Sequence, residues 1–226
     1  MTGLRHAVYW LPPAGALARA LASWLGWDPS AGERREPPVL PGLPRSPAEI
    51  VERPGRYGPH ATLRPPMRLD AQPSTLRDAV AEFAARRAPA RAAGLRVERM
   101  GRFVALRPEG DPAELDALAA DVVRATEPFR AEPGERELAR RRASGLSARQ
   151  EALLLRWGYP YVMGEFRFHV TLSGPLDDAE ARAVRDALET WLGGRLPRPF
   201  EARQVALVRE GEDGFFREVE RFDLAG

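Results

Sequence analysis

The feature of this chain that most constrains its fold is a short segment that occurs twice. The sequence reads His-Ala-Thr-Leu from His60 and His-Val-Thr-Leu from His169, and these are two of three histidines among 226 residues. Side chains alternate between the two faces of a β-strand, so each histidine shares a face with the threonine two residues later. The chain therefore presents two imidazole–hydroxyl pairs. Two such pairs around one cavity would supply an acid, a base and two hydroxyl donors.

The elements predicted after the two segments follow the same order of helix, strand and strand. After the first they are a helix from a cap at Ser74 to about Arg87 and strands at 95–100 and 103–107, and after the second they are a helix at 178–192 and strands near 200–208 and 215–222. Apolar residues at helical spacing and alternating strand patterns support each assignment. The matching order predicts an internal duplication.

The rest of the chain completes an α+β fold. It is predicted to contain a strand at 4–11, a helix at 13–24 ended by Gly26, a proline-rich meander or loop at 28–47, a helix opened by Asp111 and Pro112, an exposed helix at 135–142, and a helix with a capping box from Ser147 to Gln150 that ends at Gly158. We expect one bilobal domain over 1–226 in which two antiparallel sheets, with helices outside, face a central groove with pseudo-twofold symmetry. Lobe 1 would span about 53–110 and lobe 2 about 163–226, and 1–52 and 111–162 would complete them.

Composition excludes several kinds of site. The formal net charge is only +2, so bulk charge does not favour nucleic acid over other partners. The chain has no cysteine, which excludes disulfides and thiolate ligands, and its three histidines are far apart, so neither a metal nor another cofactor is expected. No apolar run is long enough to span a membrane, and residues 1–10 do not resemble a leader peptide. A cytoplasmic monomer is the expectation.

Strict alternation along both strands defines a polar face. In the second strand Arg167, His169, Thr171 and Ser173 would lie on one face, with Phe166, Phe168, Val170 and Leu172 on the other; in the first strand Gly58, His60, Thr62 and Arg64 would occupy the matching polar face. Polar groups buried without partners are costly, so a groove that binds an anion is the better explanation. A single strand histidine is more often structural, as we expect of His6, but the repeat favours function.

These residues carry a family resemblance. The paired His-x-Thr-Leu segments resemble the two-histidine (2H) phosphoesterase superfamily, which includes RNA 2′,3′-cyclic phosphodiesterases and 2′-5′ RNA ligase-like proteins. The stretches at 56–63, 146–151 and 156–169 resemble one branch, the DUF1045 family, which is associated with bacterial phosphonate metabolism. The resemblance covers essentially the whole chain. Relatives in this branch usually have Phe at the position of Pro59 and Lys at the position of Arg64, so here a fork of donors replaces a point charge.

The resemblance implies a mechanism and a set of site residues. His60 and His169 would act on either side of a phosphodiester, one as base and one as acid, in either order, while Thr62 and Thr171 would bind the non-bridging oxygens without a metal. An ordinary pKa of about 6.5 suits histidine to both roles. Further candidates for substrate binding are Arg64, Arg167, Ser173, Tyr9, Tyr57, Arg149, Tyr159 and Tyr161. The run 140–142 is expected to be a solvated arginine face.

Three functional hypotheses remain open at this point. The first is a metal-independent phosphodiesterase that hydrolyses a small cyclic or linear phosphoester, such as a ribosyl or nucleotide phosphate, in phosphonate metabolism. The second is a phosphodiesterase for RNA ends or 2′,3′-cyclic nucleotides. The third, from another class, is a nucleotide- or RNA-binding module without turnover. The sequence also leaves open whether 28–47 closes over the groove.

Overall fold

The computed structural model describes residues 4–226 and consists of seven α-helices and eleven strands in that range. The helices are α1 (Ala16–Leu25), α2 (Pro47–Ile50), α3 (Pro73–Arg86), α4 (Ala113–Thr126), α5 (Glu135–Arg142), α6 (Ala148–Trp157) and α7 (Asp178–Leu192). The strands are β1 (His6–Trp10), β2 (Trp27–Asp28), β3 (Glu33–Arg34), β4 (Ala61–Met67), β5 (Ala90–Ala92), β6 (Gly94–Met100), β7 (Phe103–Glu109), β8 (Val170–Thr171), β9 (Phe200–Ala202), β10 (Gln204–Glu210) and β11 (Phe216–Asp223). Met1 to Gly3, part of the segment considered as a leader, lie outside the described residues.

Local signals set most helix ends as predicted. The Ser147 side chain caps α6 in a capping box with Gln150, and Gly158 ends that helix in the left-handed conformation. Gly26 ends α1 in the same way. The cap predicted at Ser74 is wrong: α3 begins one residue earlier, at Pro73, because the fixed φ of proline suits the first helical position.

The prediction of an α+β fold with antiparallel sheets is confirmed. Seven strands form one sheet in the order β11-β10-β1-β4-β8-β7-β6. The two halves of this sheet, β11-β10-β1-β4 and β8-β7-β6, meet at a single residue pair, Ala61 with Val170. The two repeated segments are therefore neighbours at the centre of the sheet, where the halves meet.

The strand pairing does not follow the contiguous lobes predicted at 53–110 and 163–226. The β6–β7 hairpin, from the first repeat, pairs with β8 of the second. The β10–β11 hairpin, from the second repeat, joins β1 and β4. Helix packing follows the same exchange, since α7 covers β6 and β7 while α3 covers β10 and β11. Periodicity in the sequence identifies the strands, but it does not show which strands pair, because the pairing depends on how the helices between them cross the sheet.

The proline-rich segment is tied to the sheet at its start. Strands β2 and β3 form a short hairpin there, and the indole N–H of Trp27 donates to the carbonyl of Phe216 in β11 at 2.7 Å. Within residues 4–226 no helix has the length and apolar character that crossing a membrane requires.

Candidate active site

A cavity of about 860 Å³ lies where the two halves of the sheet meet, and both repeated segments line it. His60, Thr62, His169 and Thr171 all contribute to its wall. Ala61 and Val170 are antiparallel partners, so the register extended by one residue sets His60 beside Thr171 and Thr62 beside His169. The prediction that the two imidazole–hydroxyl pairs share one groove agrees with this geometry.

Both imidazoles are anchored in the same way. The Nδ1 atom of His60 lies 2.9 Å from the carbonyl oxygen of Gly58, and that of His169 lies 2.6 Å from the carbonyl oxygen of Arg167. A carbonyl oxygen only accepts, so Nδ1 donates in both rings and Nε2 is the nitrogen left for chemistry. The arrangement resembles the oriented histidines of acid–base sites, in which a second contact fixes the ring.

Glycine is required at position 58. Its φ of +65° lies in the left-handed region, and a Cβ atom there would lie 2.6 Å from Cδ of Pro29. This conformation turns the Gly58 carbonyl toward the His60 ring two residues later. The β2–β3 region therefore supports the first histidine through Pro29.

Burial lowers the pKa of both histidines. The pKa of His60 is lowered to about 4, chiefly by desolvation; the bond to Gly58 opposes the shift, and repulsion from a protonated His169 adds to it. Desolvation also lowers the pKa of His169, helped by the nearby Arg107 guanidinium and opposed by the bond to Arg167. Both rings are consequently neutral at pH 7 in the empty cavity, and a bound anion would favour protonation of either one.

Aromatic side chains surround His60 more closely than His169. The Tyr9 ring is stacked on the His60 ring with centroids 4.2 Å apart, and the Tyr57 ring lies 5.4 Å away. The His169 ring has Phe103 at 5.8 Å. The two repeats thus place equivalent histidines in unequal surroundings.

The cavity is strongly basic. Among the described residues its lining includes one carboxylate, Glu165, and six arginines, which are Arg5, Arg53, Arg102, Arg140, Arg141 and Arg167. The Arg5 guanidinium is held by Glu210 through contacts of 2.8 and 2.6 Å. Positive potential in a recessed site concentrates anions. Such a lining suits a phosphoester.

Two of the three arginines at 140–142, which the sequence predicts to form a solvated face, also line the cavity. Arg140 and Arg141 line the cavity, and the Arg141 guanidinium stacks 4.6 Å from the centroid of the Tyr159 ring. Arg142 instead pairs with Glu151 away from the cavity. Successive helical residues are rotated by about 100°, so two of three consecutive arginines share a side. In a chain whose basic residues are all arginine, no sequence signal separates these two from their neighbours.

Arg64 does not face the cavity, so the strict alternation predicted for the first strand is wrong there. Tyr9 lies opposite Thr62, but Val8 lies opposite Arg64, so one step along β1 matches two steps along β4. This β-bulge at Leu63 turns Arg64 to the core face of the sheet. There its side chain is 1% exposed and pairs with Glu127 at 2.9 Å.

The other predicted binding residues divide into two groups. Tyr9, Tyr57, Tyr159, Tyr161, Arg167 and Ser173 line the cavity. The Ser173 hydroxyl is occupied, however, because it accepts from the backbone N–H of Val104 and donates to the Gly174 carbonyl, both at 2.9 Å. Arg149 does not line the cavity, and its guanidinium lies 3.4 Å from the Glu165 carboxylate. The Arg149 side chain is 67% exposed and is linked to the cavity through Glu165.

The described residues contain no cluster of three or more His, Cys, Asp or Glu side chains that could hold a metal ion. Apart from the Glu165 carboxylate, the polar side chains that line the cavity are imidazoles, hydroxyls and guanidiniums, which are suited to proton transfer and to anion binding.

Comparison with known proteins gives relatives by sequence and by structure. A ribose 1,5-bisphosphate phosphokinase PhnN of Janthinobacterium sp. (strain Marseille) is 36% identical over 98% of this chain and 51% of its own length, and one of Laribacter hongkongensis is 34% identical over 93% of this chain and 49% of its own. The chain thus spans about half the length of these curated relatives.

Solved structures with a similar fold include TT0787 of Thermus thermophilus, with 18% identity and a TM-score of 0.47 over 98% of each chain, and E. coli LigT complexed with 3′-AMP, with 14% identity and a TM-score of 0.45 over 99% of each chain. A family model described as "Protein of unknown function (DUF1045)" matches residues 62–217, well over half of the sequence. The chain belongs to the DUF1045 family.

Proposed function

We propose that this protein is a metal-independent phosphodiesterase that hydrolyses a small cyclic or linear phosphoester with His60 and His169 as its acid–base pair. The observation that carries the proposal is that both rings line one cavity and are each anchored through Nδ1 to a backbone carbonyl. Each ring then has Nε2 available to take or give one proton.

The proposed reaction needs two proton transfers. One neutral imidazole removes a proton from water as the water oxygen bonds to phosphorus. The other imidazole, protonated in the complex with the anionic substrate, gives its proton to the leaving oxygen as the phosphorus–oxygen bond breaks. Thr62 and Thr171 line the same cavity and would donate hydrogen bonds to the non-bridging oxygens, where negative charge accumulates.

The surroundings of the two histidines support one assignment of these roles. His60 is covered by the Tyr9 and Tyr57 rings and burial lowers its pKa, so it is suited to stay neutral and act as base. His169 has less aromatic covering, with Phe103 as its one ring neighbour among the described residues, so we assign it the role of acid. The reverse reaction would exchange the roles.

The names of the sequence relatives support a ribosyl phosphate as substrate. Those relatives are named as kinases of ribose 1,5-bisphosphate, and about half of their length matches this chain. A phosphodiesterase that opens a cyclic phosphate on ribose yields a ribose phosphate monoester, the kind of compound such a kinase takes. The family resemblance further supports a role in phosphonate metabolism, which we propose takes place in the cytoplasm.

A specific observation also favours a nucleotide as the second candidate substrate. Tyr57, Tyr159 and Tyr161 line the cavity, and exposed aromatic rings stack readily on bases. Cyclic nucleotides or the cyclic ends of RNA would occupy such a wall.

A hydrolysis screen tests the proposal. The wild type is incubated in EDTA with ribose cyclic phosphates, 2′,3′-cyclic nucleotides and short RNA that ends in a cyclic phosphate. We expect release of a phosphomonoester from at least one class, with ribose cyclic phosphates turned over fastest. No release from any class, with calorimetric binding of a nucleotide or sugar phosphate retained, would contradict the enzyme and support a binding module.

A further inference from the structure

Tyr9 has a hydroxyl group that the fold buries and leaves without a partner. The residue is 1% exposed, and within residues 4–226 its Oη atom makes no hydrogen bond. Buried tyrosine hydroxyls usually find a partner, because an unpaired one has lost its water and gained nothing in exchange. Tyr9 is also part of the cavity lining. An acceptor oxygen of a ligand in the cavity is the partner that the fold lacks.

The position of Tyr9 links it to the first imidazole–hydroxyl pair. On β1 it is the direct partner of Thr62, and its ring is stacked on that of His60, with 30° between the ring planes. The titratable groups that act on its hydroxyl are Tyr57, Arg5, Tyr159 and Glu210. Burial raises the pKa of Tyr9 well above 10, so the hydroxyl remains a donor at neutral pH.

The internal repeat is broken at this position. In the second half of the sheet the partner of Thr171 is Ala105, so a methyl group stands where the first half has a phenol. The two halves therefore differ beside otherwise equivalent His-Thr pairs. A substrate that enters the cavity meets the Tyr9 hydroxyl as a hydrogen-bond donor on the His60 side, and no equivalent hydroxyl at position 105 on the His169 side.

We propose that Tyr9 is a substrate-binding residue whose hydroxyl donates a hydrogen bond to an acceptor oxygen of the bound phosphoester and so fixes its orientation between the two histidines. The inference rests on the proposed function. Tyr9 has a second role through its ring, which holds the His60 imidazole in a desolvated position.

The substitution Tyr9→Phe separates these roles because it removes the hydroxyl and keeps the ring. We expect kcat/KM to fall by about 10- to 100-fold, the range for losing a hydrogen bond to a charged acceptor, while the pH profile keeps its shape. Tm should stay the same or rise, since the folded state no longer buries an unpaired hydroxyl. Tyr9→Leu should in addition move the acidic limb of the pH profile upward, because a better hydrated His60 has a more ordinary pKa.

The control is Thr126→Val. It also deletes a buried hydroxyl, but that hydroxyl donates to the Val122 carbonyl at 2.7 Å and lies outside the cavity lining. Its kcat/KM should equal that of the wild type, and its Tm should not rise.

Two results would overturn the inference. One is a Tyr9→Phe variant with wild-type kcat/KM, and the other is a marked loss of Tm in that variant, which would show that the hydroxyl has a structural partner. If the wild type hydrolyses nothing in the screen, the proposed function fails, and calorimetry with inorganic phosphate tests Tyr9 by itself. Weaker phosphate binding by Tyr9→Phe than by the wild type would support the residue's role, and equal affinity would refute it.

Discussion

The buried ion pair between Arg64 and Glu127 gives a sharp test of how the first repeated strand is built. The Arg64 side chain is 1% exposed; its Nη2 atom lies 2.9 Å from the Glu127 carboxylate, and its Nε atom lies 3.1 Å from the sulfur of Met67. Glu127 also accepts from Arg130 at 2.7 and 3.0 Å. Glu127→Gln would leave the Arg64 charge buried beside a neutral amide.

The size of this effect follows from the burial. Removing one partner of a buried pair costs about 3–5 kcal/mol, and the lower end applies because the Glu127 side chain is 17% exposed. For a chain of this length about 3 kcal/mol corresponds to a Tm loss of roughly 6–12 °C. Thermal unfolding of Glu127→Gln and the wild type, followed by circular dichroism, measures this loss of Tm. In the double variant Arg64→Met, Glu127→Gln part of the loss should be recovered, because Arg64 no longer leaves a charge buried without a partner, while the Arg130 charge, 12% exposed, still lacks its carboxylate.

The KM of Arg64→Met tests whether the Arg64 side chain lies on the core face of the sheet. An arginine on the core face should affect KM only through stability, so Arg64→Met should keep KM within about twofold at a temperature where the protein is folded. If Arg64→Met raises KM more than tenfold with Tm unchanged, the side chain reaches the substrate, and the bulge at Leu63 does not turn it to the core face.

Three further predictions concern the site. The pKa of His60 is lowered from 6.5 to about 4, so between these pH values the unfolded chain binds more protons than the folded one. The free energy of unfolding should therefore fall as the pH falls from 6.5 to 4, by about 3 kcal/mol more in the wild type than in His60→Asn. Urea titrations at both pH values measure this difference. Gly58→Ala should lower Tm and also kcat, because a Cβ atom would meet Pro29 and displace the carbonyl that anchors His60; an unchanged kcat would count against that anchor. EDTA should leave kcat unchanged, and activity lost in EDTA and restored by zinc or manganese would argue for a metal enzyme.

Much of the local structure was predictable because its causes are local. The capping box at Ser147 and the terminal glycine at 158 act within one or two turns, and both appear as expected. Alternation on the second strand also holds, since Phe168, Val170 and Leu172 are fully buried. The strand exchange between repeats was not predictable, because it depends on which surface each helix covers.

The site was predictable to the extent that the repeat marks it. Two histidines with the same spacing to threonine predicted a shared site, and the structure brings them to one cavity. Arg64 was assigned wrongly because a β-bulge changes side-chain direction without a clear signal in the sequence. Arg5, Arg102 and Arg141 were missed because their role comes from where distant elements meet, and the chain has many other arginines.

The most direct test of the central claim is turnover by His60→Ala, His169→Ala and the double variant, compared with the wild type on the best substrate of the screen. Loss of either general acid–base group should lower kcat by about 10² to 10⁴, and circular dichroism should show that all three variants are folded. The double variant should be no more active than the weaker single one. Wild-type kcat in the folded double variant would contradict the two-histidine mechanism.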